Sequence, residues 1–365
     1  MKKFLQGVAL FLVPVLLVVG LFGTALWRSG EWRTEEDAAA QLAQGKPVFF
    51  GLAYRDNTRY YKHLATQLLA PELLVLGTSR SMQFRGEFFT TDSFYNAGGG
   101  ASYINEFEFF LRQLPADQLP RTLILVMDQY FFNEGWVGTS SMPTSFDYSH
   151  YDFAWQAALG EVMQGWARGK FSLWQVLGTP AYTYGMSAAG RGRGFYPDGS
   201  YSYGYLMDHP EEGTDVAFHD SLDRIARGVD RFEYGDALYQ PSLEVVQSLL
   251  DFCSQQGMEV VLVIPPYAPT VARAMADSGR YGYIPQIAPA LTALCQPYGY
   301  EVFDCTYMEQ TTDDQYIDGY HGGDRVYAQI AQLLGQQSRI LQGQIDLDYL
   351  EAALAPGTNP LRLSA

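Results

Sequence analysis

The chain has 365 residues, 24 basic and 40 acidic, for a formal net charge of -16; that balance excludes a nucleic-acid binder, because neutralising phosphates requires a basic surface. Apolar residues make up 47%, an ordinary share for a globular protein, so disorder throughout is excluded as well. Cys253, Cys295 and Cys305 are odd in number and have neither CxxC nor metal-type spacing, so no disulfide framework or metal site is implied.

Residues 4 to 27 carry no charge; Lys2 and Lys3 precede them and Arg28 follows. As a helix at about 1.5 Å per residue this run spans roughly 36 Å, enough to cross a bilayer. The run is long for a cleaved signal peptide and no A-x-A site follows it, so a signal anchor over residues 1–28 is preferred. The two lysines favour a cytoplasmic N-terminus, and Trp27 and Trp32 stand where an interfacial aromatic belt would be. The rest of the chain is then extracytoplasmic. Residues 29–69 read as a polar juxtamembrane linker followed by a short helix over 58–69.

From residue 70 the pattern alternates. ELLVLG (72–77) is a short apolar run ending in glycine and predicts a buried strand, SFYN (93–96) a second and TLILVM (122–127) a third. Residues 101–114 carry apolar side chains at helical spacing. The regularity lapses from about 130 to 240, where the chain is rich in aromatics and glycine, with one helix expected over 151–168. It resumes with a helix after Pro241, N-capped by Ser242 and stopped by Gly257, then a strand over 259–266, a helix over 284–297, a strand over 300–305 and a helix over 322–335. Continuous apolar strands alternating with helices predict an α/β fold, a doubly wound and mostly parallel sheet. Residues 70–340 form that domain, residues 130–240 are an insertion into it, and 341–365 are a C-terminal tail.

Two short stretches carry chemistry. The first predicted strand ends in LGTSRS; Gly77 permits a sharp turn, which sets Ser79 at the carboxyl edge of the sheet, where open α/β folds hold their sites. A serine hydroxyl at the start of a helix lies near backbone N–H groups that could hold an oxyanion. Ser81 is the rival hydroxyl, further along. The second stretch is IDGYHGGDRVY, in which Asp318 and His321 stand three apart before the last helix. The spacing lets the carboxylate hold one imidazole nitrogen while the other faces outward as a base. Arg191 and Arg193, set among glycines and tyrosines, are candidates for gripping an anionic or sugar substrate.

GTSRS and DGYH, in this order and 242 positions apart, resemble the SGNH (GDSL-like) hydrolases. That resemblance implies a flavodoxin-like three-layer fold and a Ser79–His321–Asp318 triad. It implies an oxyanion hole drawn from the Ser79 amide and a glycine of YNAGGGAS, for which Gly98, Gly99 and Gly100 are all candidates. The asparagine usual after the third strand is absent; VMDQYFFN places Asp128 and Gln129 there. Gln129 could substitute as a donor, whereas Asp128 suits a donor-rich partner, and Arg80 and Asp128 are further candidates for substrate contact. With an anchor and an outward domain, the chain is most similar in style to membrane-linked acylation proteins such as the teichoic-acid D-alanyl transfer protein and the alginate O-acetylation proteins. The implied role is O-acyl transfer or hydrolysis on a cell-surface polymer, beside a multi-pass membrane O-acyltransferase and without a cofactor. The alternative is a non-catalytic glycan-binding or scaffold partner of such an acyltransferase.

Overall fold

The computed structural model describes residues 1–54, 57–139, 142–149, 155–357 and 359–363. These fall into two compact units.

The larger unit comprises Thr58–Tyr151, Asp198–Tyr201 and Leu206–Ala365. Its centre is a five-stranded sheet of Leu73–Gly77 (β1), Phe94–Gly98 (β2), Thr122–Val126 (β3), Glu259–Ile264 (β4) and Glu301–Asp304 (β5). The spatial order is β2-β1-β3-β4-β5, and every neighbouring pair is parallel. The apolar runs explain the sheet: β1, β2 and β3 are buried at every position, as parallel strands covered on both faces must be. Edge strand β5 is only half-buried and carries Glu301 and Asp304 at its ends. Between β1 and β3 the order of the strands reverses direction, and in open parallel sheets the crevice at the carboxyl ends beside such a switch is where ligands bind.

Helices Thr58–Leu69, Glu106–Arg112, Gln240–Gln255, Ile284–Cys295 and Asp324–Gln337 lie where periodicity predicts them, give or take a few end residues. One expected cap differs. The Gln240–Gln255 helix starts two residues before Ser242, with Pro241 in its first turn, and the Ser242 hydroxyl donates to the Phe131 carbonyl at 2.7 Å. Helix formation at Thr58 also moves the expected linker boundary: 58–69 belongs to the sheet unit. The presumed tail folds too. Leu347–Ala353 is a helix with Leu350 fully buried, and Arg325 binds the Leu354 and Ala355 carbonyls at its end. Cys253, Cys295 and Cys305 are all free and buried.

The smaller unit comprises Met1–Asn57, Asp152–Pro197 and Ser202–Tyr205. It joins the N-terminal segment to the middle of the expected insertion; that insertion's flanks belong to the sheet unit. Helix Lys2–Arg28 has 27 residues and an apolar middle with almost no burial, so it is long and apolar enough to cross a membrane. Its last turns, at Ala25 and Leu26, are buried against Val162, Val176 and Met186. Residues 35–43 are helical rather than a loose linker, because Thr34 caps them in a reciprocal box with Asp37. A helix at Trp155–Ala167 occupies most of the predicted 151–168; residues 151–154 lie outside the described residues. Phe49–Phe50 pairs with Thr183–Tyr184 and Arg193–Phe195 in a small sheet.

Candidate active site

The turn after β1 brings Ser79 to the carboxyl edge of the sheet. Gly77 is required there, since a Cβ at that position would come within 2.7 Å of the Ser81 hydroxyl oxygen. Thr78 then caps the turn, its hydroxyl oxygen accepting from the Arg80 N–H at 3.2 Å while its own proton goes to Asp128 Oδ2 at 2.6 Å. Ser79–Ser81 is one turn of 3-10 helix, not the start of an α-helix. No helix macrodipole therefore backs the serine. The rival Ser81 is fully buried and donates to the Thr78 carbonyl at 2.8 Å.

Asp318 and His321 sit in a loop closed on itself before the Asp324–Gln337 helix. The Ile317 N–H donates to the His321 carbonyl at 2.8 Å. Asp318 Oδ1 accepts from the backbone N–H groups of Tyr320 and His321, at 3.0 and 2.8 Å, an Asx-type turn that locks the carboxylate to its own loop. Asp318 Oδ2 lies 2.7 Å from His321 Nδ1, and His321 Nε2 lies 2.8 Å from Ser79 Oγ. An ionised carboxylate only accepts, so Nδ1 carries the proton and Nε2 is left to accept from the serine hydroxyl. Burial pushes the Asp318 carboxyl up, but the adjacent His321 and the hydrogen bonds it receives from His321 and Tyr320 hold it below the usual carboxylate range. His321 and Asp318 side chains remain 14% and 21% exposed, open enough for a substrate to reach the serine. Chemically, this relay can deprotonate a hydroxyl and return the proton to a leaving group.

The expected oxyanion donors are placed differently. The Gly98 N–H donates to Asn96 Oδ1 at 2.7 Å, that of Gly99 to the Gly77 carbonyl at 2.9 Å, and that of Gly100 to the Ala97 carbonyl at 2.9 Å. All three are consumed within the fold, those of Gly98 and Gly100 in closing the turn at the end of β2 and that of Gly99 in tying it to the β1 end. Gln129 is fully buried, and its amide nitrogen donates to the Pro265 carbonyl and the Thr306 hydroxyl at 2.7 and 3.1 Å. The Ser79 amide forms no internal hydrogen bond among the described residues and is a donor left unspent beside the hydroxyl.

Arg80 and Asp128 are not surface contacts for a substrate. Arg80 is 1% exposed and all of its N–H groups are engaged. Nη1 binds Asp128 Oδ1 at 2.9 Å and Gln129 Oε1 at 2.7 Å, Nη2 the Pro265 and Pro266 carbonyls at 3.0 and 2.6 Å, and Nε the Tyr320 carbonyl at 3.1 Å. Asp128 and Gln129, which stand after β3 in place of an asparagine, thereby have a structural role: they are the acceptors for a buried arginine that ties the serine turn to the β3 end, the β4 end and the histidine loop. Spacing gives no signal of this. Asn96 was also missed; its amide nitrogen donates to the Ser81 and Phe84 carbonyls at 2.9 and 2.8 Å, bracing the turn from β2. Arg231, in left-handed backbone at φ 79°, donates to the Tyr320 hydroxyl at 3.3 Å beside the histidine loop, with no motif in the sequence to mark it.

Arg191 and Arg193 lie in the smaller unit and line a cavity there. Among the described residues no group of three or more His, Cys, Asp or Glu is arranged to hold a metal ion. Comparison with protein-family models, curated proteins and solved structures finds no match to this chain.

Proposed function

We propose that the chain is a membrane-anchored, extracytoplasmic serine acyltransferase or esterase of SGNH type, acting on O-acyl groups of a cell-surface polysaccharide or cell-wall polymer. The observation that carries this reading is the continuous relay of Ser79 Oγ, His321 and Asp318 at 2.8 and 2.7 Å, made from residues 242 apart in sequence. His321 takes the serine proton as Ser79 attacks the acyl carbon, and the Ser79 amide donates to the developing oxyanion. The imidazolium, stabilised by Asp318, then gives that proton to the departing oxygen of the donor. A polymer hydroxyl or water, deprotonated by His321, releases the acyl group. Lys2, Lys3 and the apolar run support an outward domain, a position suited to work beside a multi-pass membrane O-acyltransferase. Incubation with an activated acetyl ester tests the reaction: acetyl should accumulate on the Ser79 peptide by mass spectrometry and vanish in His321→Ala. Acetylation spread over surface lysines, with Ser79 unmodified, contradicts it.

A binding-module reading has one observation in its favour. Gly98, Gly99, Gly100 and Gln129 keep their donors for the fold, and an oxyanion hole short of one donor loses about 10²–10³ in rate. Tight glycan binding without Ser79 acylation would favour it.

A further inference from the structure

The smaller unit holds a cavity of about 470 Å³ lined by Arg168, Lys170, Arg191 and Arg193, with no carboxylate in its wall. Four cationic residues lining one cavity are conspicuous in a chain with a net charge of -16. None of the four forms an ion pair with a described carboxylate. The cavity is built by the backbone. A Cβ on Gly51 would lie 2.1 Å from the Arg193 carbonyl oxygen, and one on Gly194, at φ 154°, would lie 2.5 Å from that of Phe50; only glycines let these strands press so close. Gly165 and Gly190 flank the Phe171 ring in the same way, at 2.6 and 3.2 Å from their ideal Cβ positions. Arg191 is fixed by a 2.6 Å bond from Nε to the Lys170 carbonyl, and Arg193 Nε is buried without an acceptor.

A second observation says what the cations meet. In this same unit the end of the apolar helix packs beside the cavity: Phe22 contacts Trp166 at 4.8 Å between ring centroids, and Trp166 is two residues from Arg168. Around that end Trp27, Met163, Trp174 and Leu177 are exposed at 72%, 50%, 81% and 39%. Exposed tryptophans beside a spanning helix belong at the headgroup level of a bilayer, and arginines at that level meet phosphate oxygens.

We infer that this cavity is a phosphate site for an anionic membrane-lipid headgroup, which holds the smaller unit against the bilayer surface. The inference rests on the proposed membrane-spanning helix, yet the two fail separately. Extraction of the full chain from membranes by alkaline carbonate would sink the spanning helix and leave headgroup binding untouched.

The test uses the full-length protein in uncharged maltoside micelles, with bound lipid counted by native mass spectrometry. Short-chain phosphatidylglycerol should be retained, and dioctanoylglycerol, which lacks phosphate, should not. The double variant Arg168→Gln/Lys170→Gln alters only exposed side chains and should weaken retention about tenfold or more; Arg191→Gln should do so as well. Equal retention in wild type and double variant overturns the proposal, as does equal retention of the phosphate-free lipid. Binding of inorganic phosphate that phosphatidylglycerol cannot displace overturns the lipid as its source.

Discussion

At the residue scale, Arg80 shows how a charge is kept inside a protein. Its guanidinium stacks 4.5 Å over the Tyr267 ring and meets a carboxylate, an amide and three carbonyls. Removing one member of a buried ion pair costs about 3–5 kcal/mol, because the other charge is left uncompensated. Lysine cannot replace it, since its ammonium has three N–H donors in a compact head where the guanidinium fork serves five acceptors. Arg80→Lys should therefore lower the melting temperature and, by freeing the Tyr320 carbonyl next to His321, slow acylation of Ser79 beyond what unfolding explains. Rates measured well below the variant's own melting temperature separate the two; an unchanged rate there would show that the guanidinium braces the fold alone. Asp318→Asn keeps the loop shape but removes the anion facing His321 Nδ1, and acylation should fall by about 10³–10⁴-fold.

At the element scale, the Thr58–Leu69 helix carries a titratable group into the core. His63 is 4% exposed, stacked at 4.8 Å on Tyr148 and edge-on at 4.9 Å to Phe110. Burial pushes its pKa down to about 4, against smaller opposing effects of the Phe110 backbone and Asp147. The sign follows: the folded imidazole stays neutral while the unfolded one takes a proton below its ordinary value near 6.5. Stability from this group is full above pH ~6.5 and is lost as pH falls from there toward 4, by at most about 3 kcal/mol. Thermal melts of wild type and His63→Leu between pH 7 and 4.5 check this. The variant should lose distinctly less stability on acidification, and parallel losses would place the acid-sensitive group elsewhere. The last helix pair is a second such unit. The Asp324 N–H donates to the Leu361 carbonyl at 2.8 Å, so the C-terminal segment holds the start of the helix that follows His321. Truncation after residue 340 should destabilise the chain strongly and abolish Ser79 acylation, measured by melting and by labelling; an active truncated chain would make the segment dispensable.

At the scale of the whole molecule, the sheet was legible because β1, β3 and β4 are built on continuous apolar runs bounded by glycine, proline or polar residues, with β2 and β5 as shorter runs that carry Asn96 or end in Glu301 and Asp304. The Ser79 turn and the Asp318–His321 loop were legible for a related reason: the first follows a strand, the second precedes a helix, and each is closed by local bonds that a few adjacent residues determine. The smaller unit was not. Its strands are two or three residues long, too short to show a period, and they pair residues near 50 with residues near 184 and 194. The oxyanion donors were illegible for another reason. Whether the amides of Gly98, Gly99 and Gly100 are free depends on backbone angles and on acceptors supplied by Asn96, Gly77 and Ala97, which composition does not disclose. Similarly, nothing in the spacing of Arg80 and Asp128 says that they pair with each other at 2.9 Å.

The central claim is that Ser79 is a nucleophile raised by His321 and Asp318, and a fluorophosphonate probe tests it most directly. The full-length protein should be labelled stoichiometrically at the Ser79 peptide, with labelling absent in Ser79→Ala and strongly slowed in Asp318→Asn. Folded wild-type protein that takes up no probe, or takes it up equally in Ser79→Ala, would contradict the account.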